Sequence, residues 1–166
     1  PESVGWEIDW LVHLLRYLTC DGALPVKAVA RTALSAVLSC TCNEDIRVFT
    51  PTLVKARISV NTIADCIKTL SSCIFEHPVE APAVAALSQV LVRGLTGRDD
   101  RTKLLPSLIF INMCDRLADA RVASPLTAEI GYLVDEADST GSVPSATAAQ
   151  VKIYTEGIAA AGHVAE

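Results

Sequence analysis

The chain has 166 residues, of which 51% are apolar, 20% charged and 5% aromatic, with a net charge of −5. That is long enough for one domain with a real core. The charge excludes a polycationic duplex-binding surface of the simple kind, and no apolar run approaches the ~20 residues of a membrane span. Residues 1–121 are neutral, while residues 122–166 carry one basic side chain, Lys152, and are otherwise acidic. Alanine, leucine and valine dominate the apolar set, which predicts helices that approach one another closely. The first residue is Pro1, so a processed chain or a piece of something longer is expected. No signal peptide opens the sequence, and a soluble protein is expected.

Ser3 to Cys20 reads as a first helix, with Trp6, Trp10, His13, Leu14, Tyr17 and Leu18 on one side. Asp21-Gly22 ends it. Pro25 starts a second helix that runs to about Cys40, with Val29, Ala33, Leu34, Val37 and Leu38 inward. Ile46 to Phe49 has β-propensity and is a candidate extended segment. Thr50-Pro51 is a helix-start signal and predicts a short helix to about Ile58. Asn61 is placed to cap the next helix, whose buried stripe is Ile63, Ile67, Leu70, Cys73 and Ile74. His77-Pro78 closes it, since the residue before proline is pushed out of helical space.

Ala81 to Ala118 reads as a helical hairpin. Pro82 sits just inside its first helix, and Val84, Leu87, Val90, Leu91 and Leu95 share a face. Gly97 is the candidate left-handed residue past the end. Arg98 to Arg101 form a solvated turn, and Thr102 can cap the second helix. Leu105, Leu108, Ile109, Met113, Cys114 and Leu117 share a face of that helix, with Phe110 and Ile111 beside it. So wide an apolar arc predicts a centrally placed helix. Pro106 requires that helix to begin within a residue or two of it. Ser124-Pro125 opens another helix, with Leu126, Ile130, Leu133, Val134 and Ala137 inward, and Ser139-Thr140-Gly141 ends it. Pro144-Ser145 begins the last, with Ala149, Val151, Ile153, Tyr154, Ile158 and Ala161 as its apolar part and Gly162 as its stop.

No stretch alternates as a strand does. Apart from the short third piece, helix starts fall about 21 residues apart, and two such helices make a pair of roughly forty residues. A faint internal echo links Ala33–Leu38 with Ala86–Leu91. On Val26 to Leu38, Pro82 to Leu91 and Leu104 to Leu117, the chain resembles the α-solenoid superfamily of armadillo and HEAT repeats. That resemblance implies a scaffold, a stack of helical pairs offering a surface to a partner. Leu104 to Val164 is also similar to the degenerate helical-pair repeats of organellar RNA-binding proteins.

Candidate sites are few. Cys40-Thr41-Cys42 lacks the spacing and the further ligands of a zinc site, so no metal or cofactor is expected. Cys66 and Cys73 are seven apart and share a face, which predicts core packing. With Cys20, Cys40, Cys42 and Cys114 they are expected to be free thiols in an intracellular reducing compartment, cytoplasmic or organellar. Asp135, Glu136 and Asp138 end a helix, where the dipole disfavours them; a solvated end is expected. Arg93, Arg98, Arg101 and Lys103 cluster at the hairpin turn and are candidates for a phosphate or an acidic partner. Trp6 and Trp10 lie four apart on the first helix, as core or as anchors for another chain. No Walker loop, nucleotide fingerprint, hydrolase elbow or HExxH is present.

The reading is a single all-α domain over residues 1–166, with seven or eight helices in antiparallel pairs, as a solenoid or an irregular bundle. The expected function is a non-catalytic protein–protein interaction module in a larger assembly. Two alternatives stand beside it. One is an organellar RNA-binding repeat using a basic stripe of Lys55, Arg57, Arg93, Arg98, Arg101 and Lys103. The other is an enzyme or carrier with a pocket between helices.

Overall fold

Several helices open on proline in their first turn, where its fixed φ helps and its missing N–H is not needed. They include α3 (Thr50–Ile58), α5 (Ala81–Leu95) and α7 (Ser124–Ser139). The computed structural model describes residues 11, 14–15, 17–20, 23–41, 43–97 and 103–163. Residues 17–20 are helical. The remaining helices are α1 (Leu24–Thr41), α2 (Glu44–Arg47), α4 (Ile63–Leu70), α6 (Leu104–Cys114) and α8 (Ser145–His163). Short 3-10 turns, Val60–Thr62 and Ala120–Ala123, lead into α4 and α7. No strand occurs among the described residues, only an isolated parallel bridge between Val79 and Leu117. The fold is an all-α stack of antiparallel helical pairs.

Both ends of the α5–α6 hairpin show the antiparallel order. At one end Val79 donates its amide to the carbonyl of Arg116 at 2.7 Å and accepts from the amide of Ala118 at 2.9 Å. At the other, Gly94 lies against Pro106 and, across a third helix, Ile67. A methyl on Gly94 would fall 2.2 Å from Cδ1 of Ile67 and 2.8 Å from Cγ of Pro106. Three helices cross there at a distance that only a residue without Cβ permits. α7 and α8 pair in the same sense. Gly131 lies over Thr155, and Ser145 Oγ donates to Asp138 Oδ1 at 2.6 Å. One continuous apolar core runs through the stack, from Leu34 and Leu38 through Leu53, Ile67, Leu87, Leu91, Phe110 and Met113 to Ile130, Val134, Val151 and Ile158.

The wide apolar arc of α6 has the predicted consequence. Pro106, Ser107, Ile109, Phe110, Ile111, Met113 and Cys114 are all buried, and Pro106 lies in the first turn. The helix packed against the most varied neighbours is α5, which meets α1, α3, α4, α6 and α7. Polar ties across the stack repeat at the predicted length of a helical pair. Cys20 Sγ reaches the Ile58 carbonyl over a separation of 38 residues, Asn43 reaches that of Pro78 over 35, and Tyr154 Oη donates to Asp115 over 39.

Several expectations are corrected. Ile46–Phe49 is not extended: Asn43 Oδ1 accepts from the Asp45 amide at 2.7 Å and so starts α2, whose first turn is acidic. Asn61 caps nothing, because a 3-10 turn carries the chain into α4. That helix stops at Leu70, well before His77-Pro78. Ser71 and Ser72 turn their hydroxyls back onto the carbonyls of Lys68 and Thr69, both at 2.7 Å, and compete with helix continuation. Cys73 is still buried past the helix end, but Ile74 is 76% exposed. α5 ends at Leu95, and the hydroxyl of the cap residue Thr96 donates to the carbonyls of Val92 and Arg93. Gly141 has a positive φ, 72°. α6 ends at Cys114, so Leu117 lies in the bridge and not on the helix, and Leu108 is exposed. On α8, Ala149 and Ile153 face solvent and Ala148 packs in the core instead; Gly162 lies inside that helix. Val29 of α1 is 70% exposed, not inward. Thr102 lies outside the described residues, and Lys103 occupies the position before α6.

Candidate interaction surface

The residues proposed for binding divide between those described and those not. Trp6, Trp10, Arg98 and Arg101 lie outside the described residues. Arg93 and Lys103 are half-buried, one in the last turn of α5 and the other just before α6. The Gly94–Pro106 contact sets these two helix ends side by side, so both cations belong to one end of the hairpin. Arg57, which the basic-stripe alternative needed on the surface, is 1% exposed. Its guanidinium donates to the carbonyls of Ala85 and Ala86 at 2.6 and 2.7 Å and to Oε1 of Gln89 at 3.2 Å, fastening the end of α3 to α5. It is therefore a part of the core and not of a basic stripe.

The thiols divide in the same way. Cys20, Cys66, Cys73 and Cys114 are free, and only Cys20 among them is exposed. Burial pushes Cys66 up to about 11, against the attraction of Arg57, and Cys73 up to about 11, with Asp45 adding to it. Burial and the neighbouring Asp115 push Cys114 up to about 12. None of these three is held as thiolate, so none is placed for nucleophilic work. The side chains of Cys40 and Cys42 are not among those described. Among the described residues no group of three His, Cys, Asp or Glu side chains is arranged to hold a metal.

Apolar exposure concentrates on α1. Leu24 is 83% exposed, and Val26, Val29 and the preceding Tyr17 are exposed with it. The sequence pattern missed this face because it read Val29 as continuing the stripe of Ala33 and Val37. The signal lies in helix lengths: α1 has 18 residues and its partner α3 has nine, so α3 spans about half of it. Ala30, Leu34 and Leu38 in the later part are buried. A different surface is presented by α7, where Glu129, Tyr132, Asp135 and Glu136 are all exposed. Asp138, the third of the predicted carboxylates, is engaged by Ser145 across the α7–α8 turn.

A further polar cluster, absent from the sequence expectations, joins α2 to the connector between α4 and α5. Asp45 Oδ2 accepts from the backbone amides of Glu76 and His77 at 3.0 and 2.9 Å, and its Oδ1 lies 2.8 Å from Nδ1 of His77. Glu44 lies 3.6 Å from the other ring nitrogen. Asn43 donates from Nδ2 to the carbonyls of His77 and Pro78 at 3.3 and 2.9 Å. The Asp45 side chain is nearly buried at 8% exposure, whereas the His77 ring is open to solvent. Burial works against ionisation of Asp45. The hydrogen bonds from the His77 ring and backbone, its charge and the Glu76 amide outweigh this and hold the carboxyl below its usual range. The Asp45 hydrogen bond and charge, with Glu44 and Glu76, raise His77 above the ordinary imidazole value.

The geometry thus defines an all-helical repeat protein whose described side chains form a solid core and whose distinctive features lie on its surface. Residues 62–160 match the family model of the elongation factor 3/GNC1 HEAT repeat, and the chain belongs to that HEAT-repeat family. It is 33% identical over 119 residues to an elongation factor 3 of Phytophthora infestans, covering 72% of this chain and 12% of the relative. It is 26% identical over 125 residues to elongation factor 3 of Pneumocystis carinii, covering 75% and 12%. It is 28% identical over 148 residues to the mRNA export factor elf1 of Schizosaccharomyces pombe, covering 89% and 14%. The matched region is thus about an eighth of each relative's length. No helix among the described residues is long and apolar enough to cross a membrane.

Proposed function

We propose that residues 1–166 act as one HEAT-repeat interaction module, non-catalytic in itself, that serves as a scaffold or subunit of a larger assembly. The relatives are named for elongation and for mRNA export, and the partner proposed here is a protein of such machinery. The observation that carries the reading is the apolar exposure of the first turns of α1, at Leu24, Val26 and Val29, on a helix whose later turns are anchored in the core. A repeat stack uses such exposed turns to continue onto something else. Trp6 and Trp10, just upstream, and the Arg93–Lys103 turn are the proposed additional contacts. The four free thiols support a reducing compartment.

The test is affinity isolation of the tagged chain from its native extract, with and without nuclease, beside a Leu24→Glu, Val29→Glu double variant. Protein partners that survive nuclease and are lost with the variant are the expected result. The substitutions fall on exposed positions, so the circular dichroism of the variant should match that of the parent. Partners released by nuclease would replace this reading with the RNA-binding one, which the name of the mRNA export relative keeps in view. Retention by the variant would move the contact away from α1.

A further inference from the structure

The connector of residues 71–80 is bonded on both sides. Toward the N-terminus, Asn43, Glu44 and Asp45 engage Glu76, His77 and Pro78. Toward the C-terminus, Val79 exchanges two backbone hydrogen bonds with Arg116 and Ala118. The second set is backbone only and carries no titratable group. The first turns on one imidazole facing two carboxylates of α2, Asp45 and Glu44, with Glu76 of its own connector beside it. The Cys73 thiol completes the cluster by reaching the Asp45 carbonyl at 3.5 Å.

We propose that His77, Asp45 and Glu44 form a proton-dependent joint that grips the connector firmly when His77 is charged and relaxes when it is neutral. In the charged state both ring nitrogens donate, Nδ1 to Asp45 and Nε2 toward Glu44. On deprotonation one ring N–H is lost, and the remaining bond is neutral on the imidazole side and weaker. The two backbone amides on Asp45 stay, so the joint loosens without opening. The raised His77 contributes fully below its ordinary value of 6.5 and loses its contribution as pH rises through its higher folded value. The lowered Asp45 contributes above 3.8 and fails only as pH falls through its still lower folded value. The joint is therefore tightest in mildly acidic solution and slackens toward alkaline pH.

The test is an NMR titration of the His77 ring in the full chain and in an Asp45→Asn variant, together with amide exchange at Glu76, His77 and Ala118 across the same pH range. His77 is expected to titrate at higher pH in the parent than in the variant. Protection of the Glu76 and His77 amides, corrected for intrinsic exchange, is expected to fall roughly fivefold as His77 deprotonates, the size of one charge-assisted bond becoming neutral. The Ala118 amide, bonded to Val79, should hold steady. A His77→Gln variant should abolish the step and serves if Asp45→Asn does not fold. Equal titration in parent and variant, or flat protection at Glu76 and His77, overturns the proposal.

Discussion

Gly94 and Gly157 are both helical glycines, and their surroundings set opposite expectations for the same substitution. At Gly94 a methyl meets Ile67, itself buried, and the rigid ring of Pro106. Ile67 has no room to swing away and the proline ring cannot bend, so Gly94→Ala should cost about 2 kcal/mol through overpacking. At Gly157 a methyl meets nothing within 4 Å, and Gly157→Ala should stabilise by about 0.8 kcal/mol through helix propensity alone. Urea denaturation of the two variants, read at unchanged m, checks the pair together. Arg57 gives a second contrast. Arg57→Met keeps the length of the stem but removes the donors to Ala85, Ala86 and Gln89, and should cost about 2 kcal/mol. The sequence offered no way to separate this arginine from Lys55, two residues away and exposed. Its burial is set by where α5 passes, which is a tertiary fact.

At the scale of elements, the proline-led starts and the apolar stripes of α5, α6 and α7 were legible, because those signals are local. What escaped was the ends. Ser71 and Ser72 close α4 by hydrogen bonds that compete with the helix, and a pattern of hydrophobic residues carried the eye past them to Ile74. On α8 the apolar residues outnumber the places in the core, so Ile153 is left at 69% exposure while the small Ala148 is buried. The most consequential difference is in α1, whose first turns outrun their partner. That predicts unequal protection along one helix. The amides of Ala28 and Val29 should exchange roughly tenfold or more faster than those near Leu38, since the turns ahead of Ala30 bury no side chain. Hydrogen exchange resolved by fragment checks it, and uniform protection through α1 would remove the basis for treating its exposed side as a docking face.

At the scale of the whole molecule, the helical-pair rhythm of roughly forty residues was visible in the spacing of helix starts, and the polar ties of 35, 38 and 39 residues carry the same length in three dimensions. The candidate surface was far less legible. It depends on which apolar side chains find no partner, and several helices here supply more of them than they bury. The Asn43–Asp45–His77 cluster was invisible because its members are scattered in sequence and two of its acceptors are backbone carbonyls. The buried thiols report on the stack as a unit. Cys66 lies in α4, Cys73 in the connector and Cys114 in α6, yet all three share one core. Site-resolved alkylation of the native chain should label Cys20 before Cys66, Cys73 and Cys114, these three roughly a hundredfold more slowly and at a common rate. Divergent rates among those three would show that the core opens piecemeal.

The two-sided attachment of the connector also governs the order in which the chain can assemble. Starting from the N-terminus, Asn43 and Asp45 have their partners as soon as Pro78 has been made. Val79, next in line, needs only Ala118, and Asp115 needs only Tyr154. Each closure spans a loop of similar length and so carries a similar entropic penalty. A polypeptide emerging residue by residue can lock each repeat in turn, with the connector closing one loop behind it and opening the next ahead.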